Sequence, residues 1–199
     1  MTDAYLSDVI APVILGRSIH DREKIWHDFW NIDRHGAFFP VFLPGPIDVA
    51  LWDAAARTAG LPLHQYIGSY RTSLPVYASS LWLPGVDDYV REALAYKARG
   101  FKAYKVHPCG PSSMDMEIHA AVRVAVGPDM ILMSDPVSEY TLHEAIKVAR
   151  HMESLDYYWL EEPFRDYELD KYAKLSAAVD IPIVGTETTR AESCASTTP

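Results

Sequence analysis

Three carboxylates recur at a constant interval in the second half of the chain, and each follows a short apolar run. With the run that precedes each, they are Asp135 (130–133), Glu161 (157–160) and Glu187 (181–184). Neighbouring acids are 26 residues apart in both cases. One strand, one helix and two loops fit that interval, so the pattern indicates successive βα units with an acid at the end of each strand.

These acids are expected to meet, because parallel strands joined by right-handed crossovers end on one side of the sheet. Unit charges about 4 Å apart interact by roughly 4 kcal/mol at an effective dielectric near 20, so three ionised carboxylates favour a bound cation. Oxygen ligands with room for substrate oxygens favour Mg²⁺. The alternative is that each acid only caps the helix after its strand. The regular spacing of all three favours the metal site.

A basic pair precedes the first acid by a similar interval. Lys105 lies 30 residues before Asp135, and Lys105 and His107 alternate with Val106 in a short strand-like run. On a strand, both side chains would point to one side, which in a barrel is the interior beside the acids. A lysine near a cation can act as a base or bind a carboxylate, and an imidazole can take or deliver a proton near neutral pH. The alternative is structural, with Lys105 paired to an acid and His107 ending the strand.

A divalent metal beside a Lys/His pair suits removal of a proton alpha to a carboxylate. Such protons are very weakly acidic, and a metal can hold the two oxygens of the resulting enediolate. From that intermediate, return of a proton gives racemisation or epimerisation, and loss of a β-hydroxyl gives dehydration. These residue types are compatible with both outcomes.

The elements that would position these residues form a βα repeat. Strands are predicted at 74–80, 103–107, 130–133, 157–160 and 181–184, with helices at 86–99, 113–126, 141–154 and 166–179 between them. This α/β order, with charged residues at the strand ends, resembles the first five strands of a (β/α)8, or TIM-like, barrel, whose active site lies on that face. A doubly wound sheet is the alternative, but the first βα turn lacks a G-x-G-x-x-G fingerprint.

The N-terminal part of the chain has helical periodicity instead. Helices are predicted over residues 3–13, 20–32 and 46–60, the last with Pro46 in its first turn and Gly60 at its end. In the second of these, Ile25, Trp26, Phe29 and Trp30 are predicted to form one apolar face in the core.

Composition excludes several classes of protein. A net charge of −9 argues against a nucleic-acid-binding surface, which needs a basic face. The sequence contains no apolar run of the roughly 20 residues that a membrane span needs, and no signal-peptide pattern. The two cysteines, Cys109 and Cys194, have neither metal-ligand nor disulfide spacing. These features favour a globular protein of the cytoplasm.

With these residues in view, the chain resembles the mandelate racemase branch of the enolase superfamily, the mandelate racemase/muconate lactonizing enzyme group. Trp159-Leu160-Glu161-Glu162-Pro163 matches the W-[IL]-E-[EQ]-P signature, and Lys105-Val106-His107 falls at the K-x-K position. Residues 45–53 resemble the helix that joins the capping domain to the barrel, and residues 62–71 are similar to the segment before the first barrel strand.

The resemblance implies a role for each matching residue. The Mg²⁺ ligands would be Asp135, Glu161 and Glu187, and Glu162 would support its neighbouring ligand without contacting the metal. Lys105 would assist at the substrate carboxylate, and His107 would stand where the family often has its lysine base. The resemblance also implies a homo-oligomer and a small carboxylate substrate, most commonly an acid sugar that is dehydrated.

The chain also departs from the family pattern. His107 replaces the second lysine, and Val137 stands two residues after Asp135, where many members have asparagine. Family members continue through three more strands and begin with a three-stranded capping sheet, and the sequence shows neither. We therefore expect a fragment, with residues 1–72 a helical remnant of the capping domain and linker, and residues 73–199 the N-terminal part of the barrel. Such a chain could alternatively be an inactive assembly or binding module.

Overall fold

The computed structural model describes residues 2–36, 44–108, 110–137, 140–185 and 187. The chain divides into two compact units, Met1–Leu74 and Pro75–Pro199. The first unit is helical and the second contains the sheet. In the described ranges, none of the helices has the length and apolar character that crossing a membrane requires.

The first unit contains five α-helices and one π-helical turn among its described residues. In chain order they are α1 (Thr2–Tyr5), the π-helical turn (Leu6–Ile10), α2 (Ala11–Ile14), α3 (Arg22–Gly36), α4 (Pro44–Thr58) and α5 (Leu63–Tyr66). The three helices predicted for this region are thus found, with ends shifted by a few residues.

The core of this unit uses only half of the apolar face predicted for α3. Ile25 and Phe29 are buried with Ile10, whereas Trp26 and Trp30 are 44% and 39% exposed. The prediction that both tryptophans belong to the core is therefore wrong. Residues four apart lie on one helix face, so Ile25 and Phe29 form one row and the tryptophans form the adjacent row.

The second unit alternates strands and helices as predicted. Its strands are β1 (Ala78–Ser79), β2 (Ala103–Val106), β3 (Ile131–Ser134), β4 (Leu160–Glu161) and β5 (Ile183–Val184). Its helices are α6 (Val86–Ala98), α7 (Ser112–Val126), α8 (Leu142–Ser154) and α9 (Leu169–Ser176). All neighbouring strands are parallel and follow the order β1-β2-β3-β4-β5. The predicted α/β fold is confirmed.

Local sequence signals explain where several helices begin and end. Thr141 and Glu144 form a reciprocal capping box at the start of α8. Gly100 and Gly127 follow α6 and α7 with φ angles of 93° and 76°, values that glycine adopts without strain. Helix α9 begins three residues later than predicted, because residues 166–168 form a turn in which the Glu168 carboxylate accepts the Arg165 N–H.

The sheet curls strongly about the face that carries the acids. Neighbouring strands lie about 4.8 Å apart, so a flat sheet would separate β1 from β4 by about 14 Å. The ring centroids of Tyr77, just before β1, and Trp159, just before β4, are nevertheless 5.8 Å apart. Lys105 on β2 likewise reaches Glu161 on β4. This curvature brings side chains from non-adjacent strands within bonding distance.

The opposite face of the sheet packs against the helices. Fully buried side chains on this face include Tyr104, Val106, Leu132 and Leu160. At the other end of the strands, Arg123 of α7 joins several chain segments, donating hydrogen bonds of 2.8–2.9 Å to the carbonyls of Gly127, Met130, Leu155 and Asp156. The planar guanidinium makes such a fork possible.

A neutral histidine lies within this packed layer. His119 of α7 is fully buried, and its Nε2 is 2.8 Å from Ser134 Oγ on β3. Its Nδ1 has no hydrogen-bond partner among the described residues. Burial, together with the charge of nearby His151, lowers the pKa of His119 to about 3. The folded protein therefore holds this ring neutral at pH values where an unfolded chain protonates it.

We expect His119 to make stability fall as the pH falls. Its contribution is complete above the unfolded pKa near 6.5 and is lost progressively toward the folded pKa of about 3. Relative to His119→Gln, whose amide can replace the Ser134 contact, the free energy of unfolding should fall by about 1 kcal/mol between pH 6.5 and 5.5. Urea denaturation of both proteins from pH 8 to 5.5 measures this difference. Parallel curves for the two proteins would contradict the assignment.

Candidate functional site

The structure brings the three predicted acids together at the C-terminal ends of β3, β4 and β5. Asp135, Glu161 and Glu187 each offer an oxygen, and these oxygens all lie within 4.8 Å of one another. Asp135 is buried, Glu161 is partly buried and Glu187 is exposed. The prediction that the acids converge is therefore correct, whereas their role as metal ligands remains a prediction.

Lys105 bridges two of these acids. Its Nζ donates to Asp135 Oδ2 and to Glu161 Oε2, both at 3.0 Å. Burial alone would lower the pKa of Lys105, but the hydrogen bonds and charges of Asp135 and Glu161 outweigh burial and raise it. Lys105 is therefore held as an ammonium ion, a form that can bind a carboxylate.

His107 joins the same group from the end of β2. Its Nε2 is 3.0 Å from Asp135 Oδ2, and its Nδ1 is 3.4 Å from Ser79 Oγ. Burial would raise the pKa of Asp135, but hydrogen bonds from His107 and Lys105 lower it overall. The imidazole is thus oriented by a carboxylate, as is common for histidines that transfer protons.

Two neighbours in the chain orient the second and third acids. The indole N–H of Trp159 donates to Glu161 Oε2 at 3.0 Å. Glu162 is buried, and its Oε1 accepts the backbone N–H of Glu187 at 2.7 Å. Glu162 thus fixes the backbone of Glu187, and its supporting role behind the metal ligands remains a prediction.

The backbone of His107 is clamped from both sides. Its N–H donates to Ser80 Oγ at 2.8 Å, and its carbonyl accepts from the hydroxyl of Tyr89 at 2.6 Å. The same hydroxyl accepts the N–H of Leu83 at 3.1 Å. Tyr89 lies on α6 and is fully buried. It therefore ties the loop after β1 to the strand that carries Lys105 and His107.

The donor set fits a hard divalent cation. Three carboxylate oxygens are the ligand type that Mg²⁺ prefers, and two ligands of one such ion lie about 3 to 4 Å apart. The observed limit of 4.8 Å is only slightly wider. Glu187 is exposed, so rotation of its side chain can close the difference.

Fold and site together define a class: a parallel α/β protein of the TIM-barrel type, with acids and a Lys/His pair at the strand ends. Comparison with known proteins places the chain more narrowly. Residues 88–193 match the enolase C-terminal domain-like family, and residues 1–68 match the mandelate racemase/muconate lactonizing enzyme N-terminal domain. The chain therefore belongs to the mandelate racemase/muconate lactonizing enzyme group of the enolase superfamily.

Individual relatives agree with this placement. The L-talarate/galactarate dehydratase of Salmonella typhimurium is 34% identical over 182 residues, which cover 87% of this chain and 45% of that protein. The D-galactarolactone cycloisomerase of Agrobacterium fabrum is 32% identical, covering 88% of this chain and 48% of that protein. The chain spans about half the length of the curated relatives it matches.

Solved structures agree as well. A D-glucarate dehydratase from Agrobacterium tumefaciens, in complex with magnesium, is 34% identical with a TM-score of 0.86, covering 92% of this chain and 51% of that one. A racemase from Streptomyces coelicolor with bound magnesium is 28% identical with a TM-score of 0.87, covering 94% and 53%. The first five strands of the barrel expected from the sequence are thus confirmed by structural similarity.

Sequence reasoning missed three residues that organise the site. Trp159 lies two residues before Glu161, and strand alternation would have placed both on one face. Ser80 and Tyr89 gave no comparable signal, because their contacts with His107 join segments 18 to 27 residues apart. Such contacts arise from tertiary packing.

We expect removal of the Tyr89 hydroxyl to loosen the loop after β1. Tyr89→Phe leaves the His107 carbonyl and the Leu83 N–H without this partner, which should lower the free energy of unfolding by about 1–3 kcal/mol. Hydrogen exchange at the Leu83 amide should accelerate. Tyr158→Phe is the matched control, because Tyr158 is 58% exposed. Unchanged protection of the Leu83 amide would show that the hydroxyl does not hold the loop.

Proposed function

We propose that this chain provides the groups for Mg²⁺-dependent removal of a proton alpha to a carboxylate, leading to dehydration of an acid sugar. The observation that carries the proposal is the convergence of the three acids with Lys105 and His107 at one end of the sheet. Relatives that are named acid-sugar dehydratases support it.

Each residue has a distinct task in this proposal. Asp135, Glu161 and Glu187 hold the metal, which when bound supplies positive charge beside the substrate carboxylate. Lys105 donates hydrogen bonds to that carboxylate and adds a second positive charge next to it. Both charges favour the transition state, in which negative charge moves from the alpha carbon onto the carboxylate oxygens.

His107 takes the proton in this scheme. Its backbone is fixed by Ser80 and Tyr89, and its Nε2 is held by Asp135, so the ring has little freedom to turn away. The proton passes from the alpha carbon to the imidazole, and the imidazolium then gives it to the β-hydroxyl, which leaves as water as the double bond between the alpha and beta carbons forms. Return of the proton to the alpha carbon would instead give racemisation, an alternative favoured by the similarity to a racemase from Streptomyces coelicolor.

The setting of this activity is also part of the proposal. We infer a small carboxylate substrate, a homo-oligomeric protein and a cytoplasmic location, with neither nucleic acid nor membrane as partner. Residues 1–72 would serve as the helical part of a capping domain, and residues 73–199 would carry the site. The net charge of −9 supports the exclusion of nucleic acid, and the cysteine spacing supports the cytoplasmic location. The homo-oligomer and the substrate class follow from the family resemblance.

We expect the protein to bind Mg²⁺ through the three acids. Glu161→Gln removes one charged ligand and should weaken binding at least about tenfold, as measured by isothermal titration calorimetry. Glu117→Gln, the same change on the exposed side of α7, is the control and should bind as the original chain does. Equal affinity in the original chain and Glu161→Gln would refute the metal site.

We expect His107 to be needed for proton removal. With Mg²⁺ and a panel of acid sugars in ²H₂O, the original chain should exchange the alpha proton, and His107→Asn should slow this exchange by about 10²- to 10⁴-fold. His143→Asn, at an exposed position on α8, is the control. NMR distinguishes loss of water, which indicates dehydration, from exchange without it, which indicates racemisation. Lack of exchange in the original chain would favour the non-catalytic binding module.

A further inference from the structure

A cavity of about 480 Å³ opens beside His107 at the end of the sheet that carries the acids. Its lining consists of Ser80, Leu81, Trp82, His107 and Val137. The first three follow β1, His107 follows β2, and Val137 follows β3. Because His107 belongs to both, the cavity is continuous with the candidate site.

The cavity walls offer few groups to a hydroxyl-rich ligand. Leu81 and Val137 carry no polar side-chain atom, and Trp82 contributes one indole N–H. The hydroxyl of Ser80 already accepts the N–H of His107. Leu81 and Trp82 are 80% and 64% exposed, so considerable apolar surface faces the solvent next to the proposed base. A substrate hydroxyl that gives up its hydrogen bonds to water on entering this cavity, without gaining a new partner, would weaken binding.

Val137 adds an independent observation. Its φ angle is 55°, in the left-handed region that β-branched residues strongly disfavour. The backbone geometry serves the site, because the N–H of Val137 donates to Asp135 Oδ1 at 3.2 Å. Asparagine or glycine would make the same backbone bond with less strain. What valine contributes beyond that bond is the apolar surface that it presents to the cavity.

We propose that this cavity binds an apolar, deoxygenated end of the substrate. The substrate class is then a 2,3-dihydroxy acid with its carboxylate at Lys105, its alpha carbon beside His107, the departing β-hydroxyl on carbon 3, and an alkyl or methyl-terminated chain beyond carbon 3 that extends past Val137. This inference rests on the proposed function. The alkyl end of the substrate can enter the cavity only when the substrate carboxylate is held by Lys105 and by a metal bound to the three acids.

The test compares two six-carbon acids that share hydroxyls on carbons 2 and 3 but differ in the polarity of the rest of the chain, 2,3-dihydroxyhexanoate and gluconate. Binding is measured by calorimetry with Mg²⁺ present. The original chain should bind 2,3-dihydroxyhexanoate at least about tenfold more tightly than gluconate. Val137→Asn should remove most of that preference and, by relieving the backbone strain, raise the midpoint of thermal unfolding. Leu81→Asn, at a highly exposed position, should reduce the preference without affecting folding.

Val124→Asn is the matched control, since Val124 is 82% exposed on α7, away from the cavity. It should keep the preference of the original chain. If both acids bind but the original chain shows no preference for 2,3-dihydroxyhexanoate, or if Val137→Asn and Leu81→Asn leave the preference unchanged, the apolar cavity is refuted and the proposed function stands. If neither acid binds, the proposed function fails and this inference fails with it.

Discussion

Like-charge repulsion among the acids at the strand ends is the constraint that the second unit must satisfy. Asp135, Glu161 and Glu187 lie close together, and two of them are largely shielded from water. At an effective dielectric near 20, two carboxylates about 4 Å apart repel by roughly 4 kcal/mol unless a positive charge intervenes, and by less at the exposed Glu187, where water screens the charge. Lys105 supplies one such charge to the first two acids. Glu187 lies outside that ion pair, which is why the arrangement calls for a further cation.

Contacts with the surrounding residues hold the backbone segments that carry these charges. The contact between Tyr77 and Trp159 spans strands that are three positions apart and maintains the curvature of the sheet. Ser80 and Tyr89 fix the backbone of His107, and Glu162 fixes that of Glu187. Charged side chains that approach one another need such fixed backbones, because a group free to rotate would relieve repulsion by moving into water. The shape of the site is therefore maintained by ring packing and by hydrogen bonds to the backbone as much as by ion pairs.

Much of this arrangement could be predicted from the sequence, because two of its causes are periodic. The 26-residue interval marks the βα unit, and alternation along β2 places Lys105 and His107 on one face. The features that could not be predicted from the sequence depend on tertiary contacts, which leave no periodic pattern. Nothing near Tyr89 in the chain indicates that its hydroxyl would reach His107. On α3, the pattern could not decide which of two adjacent rows of large hydrophobic residues is buried, because that choice depends on the helices packed against them.

Two residues with positive φ angles, Glu162 and Val137, show how strain at the strand ends can be interpreted. For Glu162, with φ of 39°, hydrogen bonds explain both the backbone conformation and the side chain. Its N–H donates to the Val184 carbonyl, and its carboxylate accepts the Glu187 N–H. For Val137, the N–H bond to Asp135 explains the backbone, and that bond would form with any residue except proline. The presence of valine at this position therefore needs a separate explanation. Since a strained position persists only where the surroundings compensate for it, the side chain of Val137 is best understood through the cavity that it lines.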